Sequence, residues 1–203
     1  MKDSGNIRYF LGIEVDKSDA SFFISQNKYV MNLLKEFHMP SAKGTKPPMD
    51  PQVKLLADSG EYLPDPTPYQ HLIGKLIYLT ITRLDIAFTV HTLSQFMNKP
   101  YASCKTCAKI PKKLSRQGVL LASSSAVVLT AYLDSDWTGC PLSRKSTTGF
   151  CVLLGKSPIL WKTKKQKMEA RSAAEAEYRA MALTTCGVVC LTQLLKKLGI
   201  KFA

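Results

Sequence analysis

Acidic residues are scarce in this 203-residue chain: 15 Asp and Glu stand against 28 Lys and Arg, a formal net charge of +13. No apolar run reaches the ~18 residues that a membrane-spanning helix needs, and the opening MKDSGNIRYF lacks the apolar stretch of a signal peptide. Those two absences predict a chain with no membrane partner. The six cysteines show no regular spacing, which argues against a disulfide framework and predicts free thiols in a reducing, intracellular compartment. Cys104 and Cys107 form one CxxC, but no second pair or nearby histidine at finger spacing completes a zinc site. His38, His71 and His91 fall on different predicted elements with no nucleophile beside them, so no histidine is given a catalytic role. No two aspartates are adjacent anywhere in the chain.

What is present is concentrated. Between Pro141 and Arg171 eight basic residues accompany the single acid Glu169, and this segment supplies more than half of the net charge. A field of that density attracts phosphate backbones. Arg144, Lys145, Lys162, Lys164, Lys165 and Lys167, with Trp161 among them, are the candidate nucleic-acid contacts, and their alternative is a solvated basic face with no partner. Acids bracket the segment: Asp134 and Asp136 close the run AYLDSDW, and Glu175 and Glu177 open SAAEAEY. Carboxylates at both ends of a basic, β-rich stretch suggest a metal-dependent site for a polyanion, weighed against two ordinary surface pairs.

The patterning predicts the elements around these residues. Tyr9, Leu11, Ile13 and Val15 alternate as one strand, Lys17 to Ala20 turns the chain, and Phe22 to Ser25 returns it. Tyr29, Leu33 and Phe37 follow at helical spacing with Val30 and Leu34 beside them. Pro40 to Pro68 holds seven of the eleven prolines and reads as a linker or extended crossover. Thr67 as N-cap, Pro68 in the first turn and Gln70 reaching back predict a helix through Ile77. A second helix with Ile86, Val90, Leu93 and Met97 on one face closes a helical hairpin before Pro100. Tyr101 to Gln117 reads as a helix broken at Pro111, where a proline costs roughly 3 kcal/mol. Strands are expected at Val127–Leu133, Gly149–Leu154 and Ile159–Trp161. A helix then begins at Ser172 or Ala173 and runs toward Cys190, with a last amphipathic turn ending at Gly199.

Several of these phrases resemble a known family. RYFLGIEV followed by SQNKYVMNLLKEF is similar to the end of the reverse transcriptase in copia-type LTR retrotransposon Pol polyproteins. YQHLIGKLIYLTITRLDIAFTVHTLSQFM resembles that family's connection region. AYLDSDWTGCPLSRKSTTGFCVLLG, WKTKKQ and SAAEAEYRAMA resemble its ribonuclease H domain. The resemblance covers nearly the whole chain. It implies an α/β (α+β) architecture in which a β-hairpin and a helical thumb or connection region precede a truncated ribonuclease H-like mixed sheet with a flanking helix. It also implies three segments: 1–50 as the end of the palm with its following helix, 51–125 as linker, helical hairpin and degenerate connection, and 126–203 as the first part of the ribonuclease H-like domain.

The resemblance further implies site residues and partners. Asp134 and Glu177 become the metal-facing carboxylates, with Asp136 and Glu175 secondary. Mg2+ is the implied cofactor, and an RNA·DNA hybrid or other nucleic acid the implied partner. Magnesium prefers oxygen ligands in octahedral geometry, and two ions held by bridging carboxylates cut a phosphodiester. The family completes that cage with an acid on a fourth strand lying parallel beside the first, and places an adjacent aspartate pair in its polymerase site. Neither is found in these 203 residues. Leu84 stands where the family usually has proline in TRPDI. The expectation is therefore a retrotransposon-derived fragment with two incomplete active sites, and the alternative is a non-catalytic nucleic-acid-binding module built on the basic 141–171 segment.

Overall fold

A computed structural model describes residues 8–38, 60–102, 104, 117–123, 127–140 and 143–200. The chain divides into two compact units: 1–53 with 58–123, and 54–57 with 124–203. Both are mixed α/β, each with one antiparallel sheet.

In the first unit β1 (Tyr9–Phe10), β2 (Ile13–Lys17), β3 (Ser21–Ser25) and β4 (Gly118–Ala122) lie side by side in that order. The single strand expected from Tyr9 to Val15 is instead a tight hairpin, with Phe10 opposite Ile13. Leu11 and Gly12 both take positive φ, 49° and 80°, as a two-residue turn matched to the strand twist requires. Glycine adopts that conformation at no steric cost, whereas leucine does not. Tyr78 supports the turn by donating its hydroxyl to the Leu11 carbonyl, and Tyr29 packs edge-on against the Tyr78 ring at 5.2 Å. Strand β4 was not expected. Its run GVLLA has no alternation to mark it, and it is a strand because it pairs with β3, Ser25 opposite Gly118 through Ser21 opposite Ala122. Gly118 belongs there because a Cβ would collide with the Ile24 carbonyl.

The helices of this unit follow their apolar spacing. α1 (Asn27–Glu36) buries Val30, Leu33 and Leu34. α2 (Thr67–Leu79) buries Tyr69, Leu72, Ile73, Leu76 and Leu79. A 3-10 turn, Leu84–Ile86, leads into α3 (Ala87–Ser94), which buries Val90 and Leu93. Each large apolar side chain so buried contributes about 1.5–3 kcal/mol. The hairpin of α2 and α3 is pinned by the Tyr69 hydroxyl, which donates to the Leu93 carbonyl at 2.8 Å.

Two details differ from expectation. Thr67 is inside α2 rather than capping it, because Asp65 takes the Thr67 amide at 3.0 Å. Gln70 donates to the Met97 carbonyl at 2.8 Å instead of reaching back. Past α3 the chain turns, so Phe96 is buried where Met97 was expected. The end of the proline-rich segment is also paired: Leu63 donates to Pro100 and Ala102 to Glu61, with the Tyr62 and Tyr101 rings stacked at 4.6 Å. Most of the expected linker and of the broken helix at Tyr101–Gln117 lies outside the described residues.

The second unit holds β5 (Leu129–Asp136), β6 (Thr147–Leu154), β7 (Ser157–Lys165) and α4 (Ala173–Lys197). The sheet order is β5-β6-β7 and every pairing is antiparallel, so the mixed sheet expected here is not observed among the described residues. Short connections between successive strands permit only antiparallel neighbours. β7 runs four residues past Trp161, the end expected for it, because the lysine-rich WKTKK pairs fully with β6.

α4 is one continuous helix rather than a helix and a separate turn. Ser172 caps it, its hydroxyl accepting from the Glu175 amide at 3.1 Å. Gly199 at φ 80° ends it, with Ile200 donating to Leu195 and Gly199 to Lys196, which satisfies two of the last carbonyls. Among the described residues α4 is also the one helix whose length and composition suit a bilayer span, which the broken apolar runs of the sequence did not suggest. It buries Ala176, Ala180, Thr184 and Leu195, and Gly187 lies over Phe150 and Leu160 of the sheet.

Candidate functional site

Residues directly opposite one another across an antiparallel pair share a face, and neighbours along a strand alternate. That rule sorts the second unit's side chains. Leu133 and Ser135 of β5, opposite Phe150 and Thr148 of β6, face α4. Tyr132, Asp134 and Asp136 lie on the other face, in line with Cys151, Gly149 and Thr147 of β6 and then with Trp161, Thr163 and Lys165 of β7. Gly149 has no side chain, and a Cβ there would meet nothing within 4 Å, so the floor beside Asp134 is open.

Glu177 comes to the end of β5 from the other layer. It sits in the second turn of α4 and accepts the Ser135 backbone N–H at 3.2 Å through Oε1. This is possible because the outer edge of β5 carries no strand among the described residues. The Glu177 carboxylate therefore lies one backbone amide from Asp134, with Oε2 unspent. Asp134 itself is exposed.

The secondary acids have local duties. Glu175 accepts the Arg171 amide at 2.7 Å and the Arg179 guanidinium at 2.6 Å. The Arg171 amide first, then the charges of Arg179 and Arg171, hold the Glu175 carboxyl below the usual carboxylate range. With Ser172 it forms a capping arrangement at the start of α4, and the Ser-Ala-Ala-Glu spacing carried that signal in the sequence. Asp136 folds back over its own turn. Its carbonyl accepts from Gly139 at 3.2 Å, and its carboxylate lies so close that no Cβ would fit at Gly139.

Sequence reasoning missed Gln166. Its amide nitrogen lies 2.9 Å from the Ala176 carbonyl, 3.1 Å from the Thr148 hydroxyl and 3.3 Å from the Ser135 hydroxyl. It ties the first turns of α4 to the strand ends, and so sets where Glu177 meets β5. Its Oε1 is buried without a hydrogen-bond partner. Nothing in the local pattern marks it, since the role depends on three elements meeting.

The basic residues divide. Lys162 and Lys164 are exposed on the α4 face of β7, whereas Trp161 and Lys165 share the face of Asp134. Lys165 is half-buried with Nζ 3.7 Å from the Cys140 sulfur. Arg144 is exposed at φ 51°, its amide donating to the Cys140 carbonyl, while Lys145 is half-buried. Lys167 is exposed just after β7. The period of a strand thus separates lysines that look continuous in the sequence.

The donor set suits magnesium in part. Asp134 lies on the face turned away from α4 and Glu177 reaches the open edge of β5 from the α4 side, so each offers one carboxylate near that edge and water would have to complete any magnesium shell. A two-ion centre does not fit, because among the described residues no group of three or more His, Cys, Asp or Glu comes together.

Relatives define the class. The chain is 39% identical over 205 residues to the "Retrovirus-related Pol polyprotein from transposon RE1" of Arabidopsis thaliana, covering 99% of this chain and 14% of that protein. It is 37% identical to the corresponding RE2 polyprotein, again covering 14% of that protein. An uncharacterized mitochondrial protein of the same plant is 37% identical over 91% of this chain and 78% of its own length. No family model and no solved structure matches. The chain belongs to the copia-type retrovirus-related Pol polyproteins of transposons. It spans about a seventh of the length of the RE1 and RE2 polyproteins.

Proposed function

We propose that the first unit is the end of a reverse transcriptase palm with its connection region, that the second is the first part of a ribonuclease H-like domain, and that the 203-residue chain does not by itself turn over an RNA·DNA hybrid. The supporting observation is the Glu177 carboxylate reaching across from α4 to the Ser135 amide beside Asp134. Asp134 and Glu177 are the pair that would bind magnesium, which when bound supplies a Lewis acid for phosphodiester oxygens. The chain's own part is to hold those carboxylates. Ser135 orients Glu177, and Gln166 fixes α4 against the sheet. Among the described residues two carboxylates would hold one ion at most and only weakly, which is the ground for expecting no hydrolysis. Purified chain, magnesium and an end-labelled hybrid test this. No cleavage is expected, and cleavage abolished by Asp134→Asn would contradict it.

A second reading, a non-catalytic nucleic-acid contact, is favoured by the exposure of Lys162 and Lys164 side by side on the outer strand of the sheet. Counterion release then makes the logarithm of the binding constant fall linearly with the logarithm of salt concentration. Lys162→Glu with Lys164→Glu should weaken binding and flatten that slope. Binding unaffected by salt would remove this reading.

A further inference from the structure

α4 carries two exposed free thiols one turn apart, Cys186 and Cys190. Neither belongs to the site at Asp134 and Glu177. Residues at i and i+4 of a helix lie on one face with Cβ atoms ~5–6 Å apart. A disulfide needs a Cβ separation of about 3.5–4.5 Å, so the pair cannot close on itself without distorting the helix. Both thiols are free in the structure. Two metal–thiolate bonds of ~2.3 Å in line span about 4.6 Å between sulfurs, close to the ~5–6 Å separation of the Cβ atoms that carry them.

We propose that Cys186 and Cys190 form a two-coordinate chelate for a soft, thiophilic monovalent cation of the copper(I) class. Thiolates select such ions, whereas zinc takes four ligands in a structural site. Among the described residues no third His, Cys, Asp or Glu joins a cluster, so the pair offers two ligands and no more. The neighbouring exposed positions on the same stripe, Ala182, Thr185, Val189 and Gln193, carry no charge and no competing ligand. Binding is a ligand exchange without redox change. Each thiol gives up one proton, the cation gains two sulfur bonds, and the bis-thiolate complex carries one negative charge.

The test titrates the full chain anaerobically with copper(I) in competition with a chromophoric copper(I) chelator. The other described thiols are less accessible: Cys104 and Cys140 are buried and Cys151 is half-buried, with its thiol pKa raised by burial. Cys186→Ser with Cys190→Ser should remove one equivalent of bound copper. Each single variant should weaken that equivalent at least tenfold, and Cys104→Ser should leave it unchanged. Both positions are exposed, so helix content by circular dichroism should match the parent in every variant. Unchanged stoichiometry in the double variant would overturn the proposal. So would single variants that keep full affinity, or a copper-dependent doubling of mass in sedimentation, which would mean that the thiols bridge two chains.

Discussion

Replacing Gln166 should loosen the contact between α4 and the sheet by an amount the structure allows to be worked out. The amide nitrogen lies within 3.3 Å of three acceptors, Ala176 O, Thr148 Oγ1 and Ser135 Oγ. An NH2 group has two hydrogens, so two of the three bonds are fully made at any instant. At a net ~1 kcal/mol each, Gln166→Ala should cost about 2 kcal/mol, roughly thirtyfold in the folding equilibrium. Both substitutions remove the unpartnered buried Oε1, and Gln166→Met should cost less than Gln166→Ala because it keeps the packed stem, at about 0.8 kcal/mol per buried CH2. The chain's two tryptophans, Trp137 and Trp161, both lie in the second unit. Denaturant unfolding followed by tryptophan fluorescence therefore reports this unit alone. An alanine variant as stable as the parent, or a methionine variant less stable than the alanine one, would refute the reasoning.

Other outcomes follow from the same geometry. Glu175 has a folded-state pKa below its unfolded value, so its contribution is present above the ordinary carboxylate range and is lost as pH falls through the folded pKa. The stability difference between parent and Glu175→Gln should therefore shrink as acid is added below that range, and a difference independent of pH would show that the cap is not responsible. Ile73 is fully buried, and Ile73→Ala should destabilise the first unit by about 2–5 kcal/mol in thermal unfolding. A cost under ~1 kcal/mol would mean that the site is less well packed than it looks. Gly118→Ala should break the pairing of β3 and β4, seen as loss of hydrogen-exchange protection at Ile24 and Val119, because the added methyl meets the Ile24 carbonyl. Retained protection would contradict that.

Sequence patterning located what depends on local spacing. Helices α1 to α4 sit where apolar residues recur every three or four positions, and the spacing names Val30, Leu33, Leu34, Leu72, Ile73, Leu76, Val90 and Leu93 of their cores. Ile77, Leu194 and Leu198, which it also names, are exposed, and α4 packs instead through Ala176, Ala180 and Thr184. It misplaced what depends on turns. Tyr9 to Val15 alternates as one strand, yet Gly12 lets the chain reverse in its middle, and that reversal needed the Tyr78 hydroxyl some sixty-seven residues away. Strand β4 was invisible for a related reason, since its partner β3 lies almost a hundred residues earlier.

At the candidate site the resemblance ranked Asp134 and Glu177 above Asp136 and Glu175, a ranking that the local pattern alone does not carry. Glu175 and Glu177 look alike in AEAEY. The backbone separates them, giving one to the start of the helix and the other to the Ser135 amide. Gln166 and Ser135 had no signature, because each acts only where β5, β6 and α4 meet.

The most direct test of the site is a titration with manganese(II), which carboxylate and water ligands also accept, watched by its paramagnetic broadening of backbone amide signals. The signals of Asp134, Ser135 and Glu177 should fade first, and Asp134→Asn or Glu177→Gln should each suppress the effect. Broadening centred on Asp136 and Glu175, or untouched by either substitution, would contradict the pairing of Asp134 with Glu177.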